Sequence, residues 1–156
     1  MRIEKLKASD LHILTELFDY SDTEQMISEC TQDMQNRKMD IFVMFEQEVL
    51  IGELHAMYEN EDENFAVRNK RAYLYAFRVR DTYQNKGYGK RLLEAVISIL
   101  QNDGYTEFTV GVEDDNERAI HIYHSMGFNE FLLRKQEEYQ GDAYEYNLYL
   151  KRTASA

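Results

Sequence analysis

Gln84-Asn85-Lys86-Gly87-Tyr88-Gly89 stands between an aromatic and aliphatic run, residues 71–79, and an amphipathic one, residues 90–102. Gly87 and Gly89 have no Cβ, so the backbone can turn tightly there and let a ligand come close. The N–H groups that open the following helix point outward without intrahelical partners, and the helix dipole favours negative charge at that end. A pyrophosphate fits such a turn. Lys86, Lys90 and Arg91 add positive charge around it. Two other nucleotide motifs fail on spacing. A Walker loop needs Ser or Thr where Arg91 stands and an earlier glycine where Gln84 stands. A dinucleotide fingerprint needs its third glycine where Leu92 stands. Taken alone, the same glycines also suit a plain strand-to-helix turn.

Working outward, residues 71–79 read as a central strand. Residues 90–102 read as a helix with Leu92, Leu93, Val96, Ile97 and Leu100 on its buried side, ended by Gly104. Residues 106–112 are the next strand and 116–126 the next helix, closed by Gly127. Residues 128–138 and 143–151 form an antiparallel hairpin around a turn at 140–142, with Tyr144, Tyr146, Leu148 and Leu150 at the two-residue strand period. Upstream, residues 2–6 are a first strand. Ser9 or Asp10 is placed to cap a helix bearing Leu11, Leu14, Leu17 and Phe18. Ser21 and Glu24 have capping-box spacing for a second helix, which carries Met26, Ile27, Cys30 and Met34. Residues 41–45 and 49–58 pair as a hairpin, and the acidic stretch 59–64 is the expected mobile loop. The order predicts a mixed α/β domain with one central sheet over residues 1–152, and a short tail at 153–156.

The chain has 156 residues, 44% hydrophobic and 30% charged, with a net charge of −11. That charge repels phosphate backbones, so no nucleic-acid partner is expected, and it attracts cations. No apolar run approaches the roughly 18–20 residues that span a bilayer, so no membrane partner is expected. The first ten residues have no apolar stretch suited to a secretion signal. Cys30 is the only cysteine, which excludes an internal disulfide and a CxxC site. These features point to the cytoplasm. His121 and His124 are not spaced with neighbouring acids as metal ligands, and no metal is expected.

With the second half of the chain added, the pattern resembles the GNAT superfamily of acyl-CoA N-acetyltransferases. Its members have a strand ending in an aliphatic residue, matched by Phe77-Arg78-Val79. There follows Arg or Gln, two residues, Gly, one residue, then Gly or Ala, matched by Gln84 to Gly89. A later NxxAxxxYxxxGF segment is matched by Asn116, Ala119, Tyr123, Gly127 and Phe128 after Val110-Gly111-Val112. The strong match covers residues 73–128. The family's frequent proline near Asp81 is missing here, as the chain has none. The resemblance implies an α+β fold: a mostly antiparallel sheet with splayed central parallel strands, flanked by about four helices. It implies acetyl-CoA as co-substrate, its pantetheine arm in the gap between the strands at 73–79 and 106–112. The arm would bond backbone near Phe77, Arg78 and Val79. The pyrophosphate would rest on Gln84, Asn85, Lys86, Gly87, Tyr88, Gly89 and Lys90. Asn116 would bond the arm or a nearby loop, with Ala119 beside it.

Acetylating an amine needs a neutral nucleophile, a stabilised oxyanion and a proton for the departing thiolate. A free alkylamine, of pKa near ~10, is mostly protonated at neutral pH and must lose a proton first. Backbone N–H groups near residues 77–79 can stabilise the oxyanion, as the resemblance suggests. Tyr123 is the candidate general acid, on one helix face with Asn116 and Ala119. Many members carry a glutamate on the strand matching residues 71–79, but that segment has no Asp, Glu or His. Glu53 is the candidate base, with His55 on the same side of the preceding strand. Either also suits a solvated strand face. Tyr73 and Tyr75 are candidates for the acceptor pocket or the core, and Cys30 for the core. The acidic loop with Tyr58 is a candidate cation attractor. The acceptor is expected to be a small-molecule or protein amine, and a homodimer through the closing strands is compatible with the pattern. The missing strand glutamate keeps one alternative open: a non-catalytic acyl-CoA binding or sensing domain on the same fold.

Overall fold

A computed structural model of the chain describes residues 1–153. Its strands are β1 (Arg2–Lys5), β2 (Met39–Glu46), β3 (Val49–Met57), β4 (Arg71–Val79), β5 (Glu107–Val112), β6 (Glu130–Tyr139) and β7 (Asp142–Arg152). The α-helices are α1 (Thr23–Gln35), α2 (Tyr88–Asn102) and α3 (Glu117–Ser125), with 3-10 segments at Ala8–Glu16 and Asp81–Tyr83. The strands form one sheet in the order β1-β2-β3-β4-β5-β7-β6. Only β4 and β5 pair in parallel. Their crossover is α2, whose apolar stripe Leu92, Leu93, Val96, Ile97 and Leu100 is fully used in the core. The expected mixed sheet with helices on it is thus the observed architecture.

Each face of the sheet has its own core. One packs Phe42, Leu54, Ala56, Ala72, Leu74, Phe108 and Val110 under α2, with Tyr123 and Phe128 joining from α3 and beyond. The other packs Ile41, Val43 and Leu50 under Leu11, Leu14 and Met26. Residues alternate between faces along a strand, so Glu53 and His55, opposite Val43 and Ile41, belong to the second face.

Two irregularities open the sheet at its centre. β4 and β5 pair only from Arg71↔Glu107 to Leu74↔Val110, and beyond that they part. Just past this point β4 bulges: His55 faces Tyr75 and Glu53 faces Arg78, so β4 carries one extra residue there, and Ala76 has a φ of +50°. A bulged residue drops out of the ladder, and β5 has already turned away. The backbone of Ala76 and Phe77 therefore borders the gap. At the closed end, buried Glu107 accepts from Arg71 (2.9 Å) and Arg152 (2.8 Å), tying β4, β5 and β7 together.

Several local expectations are corrected. Residues 8–16 form a 3-10 segment with no side-chain cap, in place of an α-helix capped by Ser9 or Asp10. The spacing of Leu11, Leu14 and Leu17 matches three residues per turn, which aligns them on a 3-10 helix. Asp22, not Ser21, caps α1, accepting from the Gln25 N–H at 3.0 Å. Helix α2 begins at Tyr88, two residues before the expected start. The acidic stretch 59–64 is pinned: Asp62 N–H donates to Asn60, Asn64 N–H donates to Asp62, and Arg71 donates to the Asn64 carbonyl. Its cation is the chain's own, since Arg68 pairs with Glu59 at 3.5 Å and lies over the Tyr58 ring. Thr153 still bonds the Thr106 carbonyl through both N–H and hydroxyl, and the rest of the expected tail lies outside the described residues. Among the described residues no helix is long and apolar enough to cross a membrane.

Candidate active site

The gap between β4 and β5 meets the start of α2. Gly87 has a φ of +86°, a left-handed conformation that costs other residues, and Asn85 has one of +62°. No side chain caps this helix end, so the first-turn N–H groups remain available to an anion. A Cβ on Gly89 would lie 3.2 Å from the Phe77 ring and 3.4 Å from Val79, so glycine lets α2 seat closely on the bulged strand. Gln84 braces the loop by donating to the Val79 carbonyl at 2.8 Å. Its own carbonyl accepts from Arg118 of α3. Arg118 joins Lys86, Lys90 and Arg91 around the turn. Sequence reasoning missed it, although it lies two residues past Asn116 in the quoted motif.

Across the gap stands Tyr123, 5% exposed, its ring 6.1 Å from that of Phe77 and 5.7 Å from that of Phe128. Burial alone pushes its phenol well above the usual value, so it is fully protonated at neutral pH. Asn116 caps α3, accepting from the Ala119 N–H at 3.2 Å, and Ala119 packs on the core beneath. His124 is held at the helix end, its Nδ1 2.8 Å from the Phe128 carbonyl oxygen.

The other face of the same strands carries a charged cluster. Glu53 is 0% exposed, with one oxygen 3.1 Å from Arg78 and the other 2.7 Å from His55 Nε2. Arg78 also donates to the Tyr20 hydroxyl at 3.1 Å and lies 3.9 Å above the centre of the Phe18 ring. A buried carboxylate needs such partners, because an unpaired charge there is costly. Burial, then the Glu53 charge, push the Tyr20 phenol up to about 12. The Arg78 side chain thus serves this cluster and turns away from the glycine turn, leaving its backbone to border the gap. Tyr73 and Tyr75 stack on this face, ring centres 5.2 Å apart, and Tyr75 meets His55 edge-on at 5.3 Å.

Phe77, Val79, the glycine turn and Tyr123 therefore converge, while Glu53 and His55 lie on the opposite face beside the same opening. The sequence also matches the Acetyltransferase (GNAT) family over residues 9–128. The chain belongs to that family. It is 38% identical over 64 residues to the [Ribosomal protein bS18]-alanine N-acetyltransferase of Haemophilus ducreyi, covering 41% of this chain and 44% of that protein. The matched stretch thus spans under half the length of that relative. The fold is similar to the ribosomal-protein-alanine N-acetyltransferase of Brucella melitensis (TM-score 0.76, 17% identity, 97% of this chain and 99% of that one). It is also similar to a Salmonella typhimurium protein described as an acetyltransferase with its cofactor acetyl-CoA (TM-score 0.75, 19% identity, 100% and 95%). Within the GNAT frame, the parted strands, the bulge and the glycine turn are the features its motif residues build here.

Proposed function

We propose that this GNAT protein moves acetyl from acetyl-CoA to a primary amine by direct transfer in a ternary complex. One observation carries the reading: the backbone at Ala76–Phe77 is freed by a bulge where β5 has left β4, and an uncapped helix start lies beside it. The donor set fits a pantetheine pyrophosphate, with backbone N–H groups for the arm and Lys86, Lys90, Arg91 and Arg118 for the phosphates. Bound acetyl-CoA would supply an activated acyl carbon: a C–N bond forms to the neutral amine, the C–S bond breaks, and the one proton that nitrogen then loses balances the one gained by sulfur; an acceptor arriving as an ammonium first releases its extra proton to solvent.

The chain's own groups divide this work. Backbone N–H groups at the bulge would steady developing negative charge on the acyl oxygen. Tyr123 holds a proton for the leaving sulfur. Glu53 is enclosed, so it takes the amine's proton through His55, its hydrogen-bonded neighbour, or a water. The relatives' printed names support an amine acceptor, a ribosomal-protein alanine among them. The test is thiol release from acetyl-CoA with an amine panel that includes an alanine-initiated peptide, with products identified by mass spectrometry. An acetylated amine supports the reading. Saturable coenzyme binding without product from any amine replaces it with acyl-CoA sensing.

A further inference from the structure

The sheet ends on β1 at one side and on β6 at the other. β1 is four residues long, whereas β6 runs for ten, from Glu130 to Tyr139. In an antiparallel ladder every second residue turns its N–H and C=O away from its partner strand. The two-residue turn at Gln140 (φ +49°) and Gly141 (φ +88°) sets which ones do so in β6. Both φ values are positive, as in a type I′ turn, so Tyr139 and Asp142 close the hairpin as a hydrogen-bonded pair. Glu137, Lys135 and Leu133 then bond to β7 as well. Arg134, Gln136 and Glu138 present their N–H and C=O groups outward, and among the described residues no other strand or turn takes them up. A bulge between Phe131 and Leu133 interrupts β6, and residues 133–139 beyond it are regular. Such an edge is a template for one more strand.

The side chains decide what can pair there. A second β6 laid antiparallel must bring outward residues opposite outward residues, so the two-fold axis passes through a residue and not between two. Centred on Arg134, it sets that arginine against its own copy and Glu130 against Glu138. Centred on Lys135 it opposes lysine to lysine, and centred on Glu137 glutamate to glutamate. Like charges directly opposite are destabilising. Centred on Gln136, no charge meets its like. Lys135 faces the copy's Glu137 and Arg134 faces the copy's Glu138, each twice by symmetry. Within one chain Lys135 already lies 3.6 Å from Glu137, so four charges alternate around a square. Arg134 is held beside the edge by Asp114 at 2.9 Å and by Glu145. At both ends Leu133 meets Tyr139, which is 36% exposed in the single chain.

We propose that two copies of this chain associate through the outer edges of β6, antiparallel and with the two-fold axis at Gln136, joining two seven-stranded sheets into one. The charges on β6 thus both block the shifted registers and hold the one that remains. No group assigned to the coenzyme or to proton transfer takes part, so this inference stands or falls apart from the acetyl-transfer reading.

The test is sedimentation velocity of the full chain in about 0.15 M salt, over about 1–300 µM, the range suited to a small interface. The sedimenting mass should rise from that of one chain to that of two. Arg134→Glu with Lys135→Glu puts like charges at all four crossings and should weaken self-association about 10-fold or more. Glu137→Lys with Glu138→Lys should do the same. An equimolar mixture of the two variants restores every pair and should associate within about 3-fold of the parent. A separate readout needs neither variant. In a Cys30→Ser background, Gln136→Cys sets two thiols opposite each other on the axis, Cα atoms about 5.5 Å apart and within disulfide reach. Mild oxidation should cross-link it about 10-fold faster or more than Lys135→Cys, whose copies lie two residues out of step. A parent that stays single at every concentration overturns the inference and leaves the edge to a strand from a different protein. Self-association that the charge variants leave unchanged, or a mixture no tighter than either variant alone, overturns it. So does cross-linking at Lys135→Cys as fast as at Gln136→Cys.

Discussion

Tyr123 and Cys30 are both titratable side chains whose environment sets what they can do. The Tyr123 phenol is raised by burial alone, so it holds its proton at neutral pH and releases it only to a base formed in the same dry space. Tyr123→Phe keeps the ring against Phe77 and removes the proton; kcat should fall about 100-fold while the coenzyme Kd changes less than about 2-fold. Stopped-flow turnover and equilibrium binding check this, and unchanged turnover would remove the acid assignment. Cys30 is pushed up to about 11 from 9.0, first by burial and then by Asp33 and Glu29. The raised value favours the thiol, so at pH 8 its thiolate is about 100-fold scarcer than on an unperturbed cysteine. Alkylation by iodoacetamide should be slower by about that factor, rising about tenfold per pH unit until near the shifted value. A rate equal to that of a free thiol would contradict the burial. Since the native state keeps this proton to higher pH than an unfolded chain, the thiol's contribution to stability is present below pH 9 and declines as pH rises from about 9 towards 11.

The elements around the opening are set by backbone conformation at one end and by charge at the other. Gly87 at φ +86° begins α2 where a Cβ would meet no neighbour, so Gly87→Ala tests conformation without a clash. Stability should drop by about 1 kcal/mol in urea unfolding, with coenzyme affinity falling as the turn shifts. An unchanged urea midpoint would mean that the left-handed turn is not needed. At the closed end, Arg71 and Arg152 both hold Glu107, which is 6% exposed. Arg71→Ala leaves that carboxylate with one partner, and the loss should be about 3 kcal/mol, or about 8 °C in Tm by calorimetry. The same variant should loosen the first β4–β5 rungs, seen as faster amide exchange there. A Tm within about 1 °C of the parent would show that Arg152 alone suffices.

Over the whole chain the net charge is −11, while Lys86, Lys90 and Arg91 stand at the α2 turn. Cationic acceptors are drawn to such a surface over the Debye length, about 30 Å at 0.01 M salt and about 8 Å at 0.15 M. For a cationic acceptor kcat/KM should therefore fall between those two salt concentrations, while an uncharged acceptor should show little change; a flat salt response would count against steering. Much of this architecture was legible in the chain. The Leu92–Leu100 stripe and the alternation of residues 144–150 follow local periods of 3.6 and 2, and the glycines at 87 and 89 mark a turn, so they specified α2, its glycine-bearing start and β7 without tertiary help. Asn116, Ala119 and Tyr123 fell on one helix face for the same reason. The 3-10 segment at Ala8–Glu16 did not, because leucines three apart fit either helix until packing selects one. The strand parting, the bulge at Ala76 and the pairing of Glu53 with Arg78 depend on which strands lie side by side, and that contact is made between residues far apart in sequence. Nor could any local pattern tell that Tyr146 fills the space left by Gly111, 35 residues earlier in the chain. Sequence alone determined the strands, the three α-helices and the glycine turn, because those are short-range conformational preferences. Tertiary structure decided where the sheet opens and which side chains face the opening, because register and burial are set only when distant strands meet.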